Sequence, residues 1–161
     1  MKRIVLCLLL VSVFAGMCFA TELGGKWGVG DRNGSPSVRY FFNNCFAGDV
    51  IVSYQNVATA GRPSAYETDL GLSGFYVKEI ADKTLLESGV MLTGYSGGSN
   101  DGSATSGLFV NPFVGFEYLA SDHFGADFKF ILAGFGNDLS GSTRTIVFTG
   151  IASSIGMHYY F

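Results

Sequence analysis

The sequence predicts an all-β fold: an eight-stranded, antiparallel, up-and-down transmembrane β-barrel. Three observations predict it. Residue character alternates with period two over most of the chain, as side chains do along a strand. The connections between these segments alternate between short and long. One face of strand after strand is apolar and nearly free of charge, while the other mixes glycine, serine and alanine with charges of both signs.

The chain opens with "MKRIVLCLLLVSVFAGMCFA". Lys2 and Arg3 precede an apolar run from Ile4 to Phe14, and a short segment ends at Ala20. This pattern predicts a secretory signal over 1–20, cut after Ala20, with one domain over 21–161. The apolar run is short for a spanning helix. Loss of Lys2 and Arg3 leaves eight basic against thirteen acidic residues, a formal charge of −5. That balance argues against nucleic acid as a partner, because phosphate binding rests on clustered basic side chains. Cys7 and Cys18 leave with the signal. Cys45 is then alone, so no internal disulfide and no metal-ligand spacing is expected.

Eight strands follow, at 22–31, 36–43, 46–56, 66–79, 85–96, 107–119, 124–135 and 146–161. Three connections read as tight: "FNNCF" at Asn44, "IADKT" at Asp82 and "ASDHF" at Asp122. Four read as longer: "RNGSPS", "NVATAGRPSA", "SGGSNDGSATSG" and "GNDLSGSTR". The tight turns recur about every 40 residues, so the unit is strand, tight turn, strand, long loop. An up-and-down barrel puts the tight turns at one end and the long loops at the other, an asymmetry typical of transmembrane barrels.

The alternation also assigns the faces. Leu108, Val110, Pro112, Val114, Phe116 and Tyr118 share one face; Phe109, Asn111, Phe113, Gly115 and Glu117 share the other. Val38, Tyr40 and Phe42 oppose Ser37, Arg39 and Phe41 in the same way. A soluble barrel would keep its apolar side chains inside and its charges outside. Here the apolar face suits lipid and the mixed face suits a polar lumen. Aromatic residues gather toward strand ends on the apolar face: Trp27, Tyr40, Tyr54, Tyr66, Tyr76, Tyr118, Tyr159 and Phe161. Girdles at two membrane–water interfaces account for that placement.

The last residues, "GMHYYF", put Met157, Tyr159 and Phe161 on one face of a strand. With the signal, the eight-strand layout and the alternating connections, they make the chain resemble the small eight-stranded outer-membrane barrels of Gram-negative bacteria, the OmpA-transmembrane/OmpX-like group. The resemblance implies an outer-membrane location. It also implies contact with outer-membrane lipid and lipopolysaccharide, and an assembly signal at Met157, Tyr159 and Phe161 read by the barrel assembly machinery. It is a likeness of architecture, which bears on fold more than on function.

Seven charged residues are expected to face the lumen as a polar network: Lys26, Arg39, Asp49, Asp69, Glu117, Asp127 and Lys129. Enclosed charges need partners. An eight-stranded barrel is just wide enough for side chains to fill it, so the network is expected to plug the lumen. The alternatives are a narrow pore for ions or small solutes, and a soluble exported barrel that binds a ligand. Enzymatic activity is not expected. The lipid-modifying enzymes of this size use a histidine near the external loops, whereas His123 and His158 fall at the tight-turn end. No phosphate-binding loop or Cys/His cluster calls for a cofactor. Arg32, Arg62 and Arg144 are read as basic loop residues that contact lipopolysaccharide phosphate or stand in solvent. The function expected is envelope structure, or interaction with a surface ligand through the long loops.

Overall fold

The computed structural model describes residues 22–57, 65–99, 102, 104–138 and 145–161. Ten strands are present among them, and no helix: β1 (Trp27–Arg32), β2 (Ser35–Asn43), β3 (Phe46–Val57), β4 (Ala65–Ala81), β5 (Thr84–Ser99), β6 (Ala104–Ser121), β7 (Phe124–Ile131), β8 (Gly134–Asp138), β9 (Thr145–Thr149) and β10 (Ala152–Tyr160). Every pairing is antiparallel. β1 to β7 pair in chain order, and β10 pairs with both β7 and β1, so eight strands close into a ring. The expected signal over 1–20 lies outside the described residues.

β8 and β9 are upward continuations of β7 and β10. The β6–β7 ladder ends at Phe113↔Ile131 and the β6–β8 ladder begins at Val110↔Phe135, so one extra residue has entered on the second strand. Pro112 sits between these pairs. It has no N–H to donate to the ladder, and a proline inside a sheet favours a bulge. Its carbonyl still accepts from Leu132 N–H at 2.9 Å. The expected seventh and eighth strands are therefore each broken once.

Four further boundaries differ from expectation. The first strand begins at Trp27, not at 22, because Gly25 turns the chain with φ of 84°. "RNGSPS" is a two-residue hairpin turn, not a long loop. Asn33 (φ 51°) and Gly34 (φ 82°) both take the left-handed conformation that the matching turn requires, and Asp31 Oδ1 accepts from Gly34 N–H at 2.7 Å. The expected loop Ser96–Gly107 is mostly strand, because β5 runs to Ser99 and β6 starts at Ala104. Asn137 and Asp138, expected in a loop, belong to β8.

The three expected tight turns share a construction. Each hairpin shifts register just before its turn, at Phe41/Asn43, Glu79/Ala81 and Leu119/Ser121. In the first, Asn43 Oδ1 accepts from both Cys45 N–H and Phe46 N–H. A side-chain oxygen thus satisfies the turn amides, as asparagine commonly does. Cys7 and Cys18, expected to leave with the signal, lie outside the described residues.

The two faces separate cleanly. On the outside an unbroken apolar row follows the pairing register from Tyr159 through Val29, Val38, Val50, Leu72, Leu92 and Val110 to Phe135. All eight are exposed. On the inside, near the tight turns, Leu23, Phe41, Ala47, Phe75, Val77, Leu85, Phe113, Leu119 and Tyr160 form a small core. Charged groups are packed beside this core.

Candidate functional site: a buried ion cluster

Arg39 organises the cluster. It stands directly opposite Asp49 in the β2–β3 ladder, and inward parity aims both side chains into the ring. Its Nε lies 2.7 Å from Asp49 Oδ1 and its Nη2 lies 3.2 Å from Oδ2, the two-pronged contact that guanidinium and carboxylate planes favour. Its Nη1 donates to Glu87 Oε1 and to Glu117 Oε2, both at 2.7 Å, and Nη2 reaches Asp127 Oδ2 at 3.3 Å. One fully buried guanidinium therefore touches carboxylates from β3, β5, β6 and β7.

Two other cations complete the set. Arg32 spans Asp127, with Nη1 2.8 Å from Oδ1 and Nη2 2.9 Å from Oδ2, and it donates to Ser154 Oγ at 3.2 Å. The Lys129 ammonium lies 2.8 Å from Asp49 Oδ2 and 3.2 Å from Glu87 Oε2. It also sits 4.2 Å from the centre of the Phe75 ring and 4.5 Å from that of Phe113, where the negative ring faces attract it. Three cations meet four carboxylates. Pairing on this scale offsets the cost of removing each charge from water, which isolated buried charges could not bear.

Neutral side chains fill the edge of the cluster. The Tyr160 hydroxyl donates to Glu117 Oε1 in a short hydrogen bond. His158 bridges β2 and β7, with Nε2 3.2 Å from Ser37 Oγ and Nδ1 3.2 Å from Asp127 Oδ2. Serine, histidine and aspartate in line have the connectivity of a nucleophile, base and acid. Here Asp127 also serves two guanidiniums, and Ser37 is only 4% exposed. The arrangement joins strands and keeps the hydroxyl away from solvent.

Glycines make room for these head groups. Gly28 faces Arg39 across β1–β2, and a Cβ there would stand 2.5 Å from the Tyr160 ring. Gly156 faces Asp127 across β7–β10, and its Cβ would stand 2.7 Å from Asp127 Oδ2. Small residues on the charged face are thus the complement of the large ones.

Five of the seven residues expected in the polar network come together here: Arg39, Asp49, Glu117, Asp127 and Lys129. Lys26 and Asp69 do not join these ion pairs. Lys26 precedes β1, where strand parity no longer aims side chains, and Asp69 lies further toward the long-loop end of β4, opposite Ser53 and Tyr95. Both are half-buried. Sequence reasoning missed Arg32, Glu87, His158 and Tyr160 as members. Arg32 falls in a loop when "RNGSPS" is taken as long; the Asn-Gly signal for a two-residue turn places it at a strand end. Glu87, His158 and Tyr160 have the inward parity of their strands, so parity alone would have found them. Arg62 and Arg144 lie outside the described residues.

The aromatic residues expected at interfaces project outward. At the tight-turn end, Trp27 packs on Tyr40 (ring centres 4.5 Å apart), Tyr40 on Phe42 (5.2 Å), Phe46 on Tyr76 (5.6 Å) and Tyr159 on Phe161 (5.8 Å). Tyr118 adds to that end; Tyr54 and Tyr66 lie toward the other. Met157, Tyr159 and Phe161 are all exposed. No family model and no curated protein sequence matches this chain.

Proposed function

We propose that the chain is a non-enzymatic outer-membrane β-barrel. In this reading the ion cluster closes the interior, and the protein serves envelope structure or surface interaction through the loops opposite the tight turns. One observation carries it: the polarity of the ring is inverted. Charges pair inside, while the outer wall is an apolar belt. Among the described strand residues, only Asp31 near one rim and Lys78 near the other carry charge on the outward face. An exposed apolar surface this continuous needs a nonaqueous cover, and a closed ring leaves few unpaired backbone groups to meet hydrocarbon. From Leu108 to Tyr118 the outward face of β6 covers the length a tilted spanning strand needs, roughly 9–11 residues. Lipid is the natural cover.

The test is gel mobility of the membrane-fraction protein in detergent, with and without boiling, paired with planar-bilayer recording. A mobility shift on boiling and no stable conductance is the expected result. A protein found in the aqueous fraction with no shift would overturn the membrane reading. Large, steady conductance would replace the closed interior with the narrow-pore reading.

A further inference from the structure

The outer wall is not uniformly covered. On β3 and β4 two outward positions that are directly paired are both glycine, Gly48 and Gly74. Gly48 lines a trough of about 280 Å³ in the apolar belt, and Gly74, paired with it, leaves the surface beside the trough open. Trp27 and Tyr40 flank it level with Gly48, Phe42 walls it toward the tight turns, and Val38, Val50 and Leu72 wall it toward the loops. Asp49 and Ser73 complete the floor while their side chains turn inward. Glycine in a strand often marks where another group approaches the backbone closely. A Cβ on Gly74 would meet nothing within 4 Å, so neither packing nor backbone strain accounts for glycine there.

We infer that this trough holds one acyl chain of a phospholipid in a fixed pose, with the phosphate beside Lys78. The inference rests on the membrane reading above. Two observations select this occupant. The lining is apolar and continuous with the belt, so it suits hydrocarbon. Lys78 is the sole cation on the outward face of the described strands, and it lies four residues beyond Gly74 on the same face of β4. That is about 13 Å along the strand, between the trough and the rim where a lipid head group sits. A long lysine stem can lie on the apolar wall while its ammonium meets an anion.

Trp27 is the single tryptophan and forms part of the wall, so it reports on the site. The protein is reconstituted in bilayers of phosphatidylglycerol carrying a dibrominated chain, then transferred to detergent with unbrominated lipid in excess. Wild type should keep a residual quench of Trp27 and about one brominated lipid per chain by mass. Gly74→Val adds a side chain directly across from Gly48, crowds the trough from its open side and should lower the residual quench several-fold, and Lys78→Ala should speed its loss. Gly94→Val, on the outward face of β5 away from the trough, should behave as wild type. Equal residual quench in wild type and Gly74→Val overturns the inference, as does none in wild type. Cross-linked dimers that Gly74→Val abolishes, with no lipid retained, would give the trough to a second copy and also overturn it. Absence of any quench in the starting bilayers would instead count against the membrane reading itself.

Discussion

At the scale of single residues the cluster depends most on Arg39. It is the one group in contact with all four buried carboxylates. Arg39→Ala would strand them against only Arg32 and Lys129. Removing one partner of a buried ionic set costs about 3–5 kcal/mol. We expect that loss in urea unfolding followed by Trp27 fluorescence, and a loss below about 1 kcal/mol would mean the cluster is held mainly by other contacts. Gly28→Ala places a methyl 2.5 Å from Tyr160 and should displace the ring from Glu117, costing about 1–3 kcal/mol. Gly74→Ala, with open space around it, should stay within about 0.5 kcal/mol of wild type. If the two alanine variants unfold alike, the steric account of the inward glycines is wrong.

At the scale of elements, turn chemistry and parity govern. The β1–β2 turn needs two left-handed residues, and Asn33-Gly34 supplies them. Gly34→Ala should destabilise the hairpin by about 1–2 kcal/mol, because a Cβ clashes with the following carbonyl in that conformation. Melting curves of the two proteins would show it, and unchanged midpoints would argue that the turn relaxes. This hairpin also puts Arg32 at a strand end, so its short reach is part of the site. The turn is legible in the Asn-Gly pair, although the neighbouring Ser and Pro make the segment read as a long loop; that Arg32 stands level with Asp127 is decided by the pairing of β1 with β10 and of β10 with β7. The break between β7 and β8 was less legible. Pro112 signals a lost donor, but which paired strand absorbs the extra residue depends on the ladder it faces.

At the scale of the molecule, ring closure and inverted polarity act together. Val50 lies in the middle of the outward apolar row, with Val38 and Leu72 as its neighbours. Val50→Arg would put a charge at mid-belt, for which a membrane barrel should lose about 2–4 kcal/mol. The same substitution on a water-facing wall would be nearly neutral. Folding equilibria in lipid vesicles distinguish these outcomes, and a neutral result would speak against lipid on this face.

Period-two alternation by itself determined most of the strands and their two faces, and with the turn residues three of the tight turns, because side-chain direction follows backbone geometry over a few residues. It therefore placed Arg39 and Asp49 on one face, and likewise Glu117, Asp127 and Lys129. It could not say that Arg39 would reach Asp127, 88 residues away, or that Lys26 and Asp69 would stay apart from the cluster. Those outcomes depend on register summed around the ring and on the height of each residue along it. Both are fixed only when β10 pairs with β1, since closure converts local parity into shared interior space.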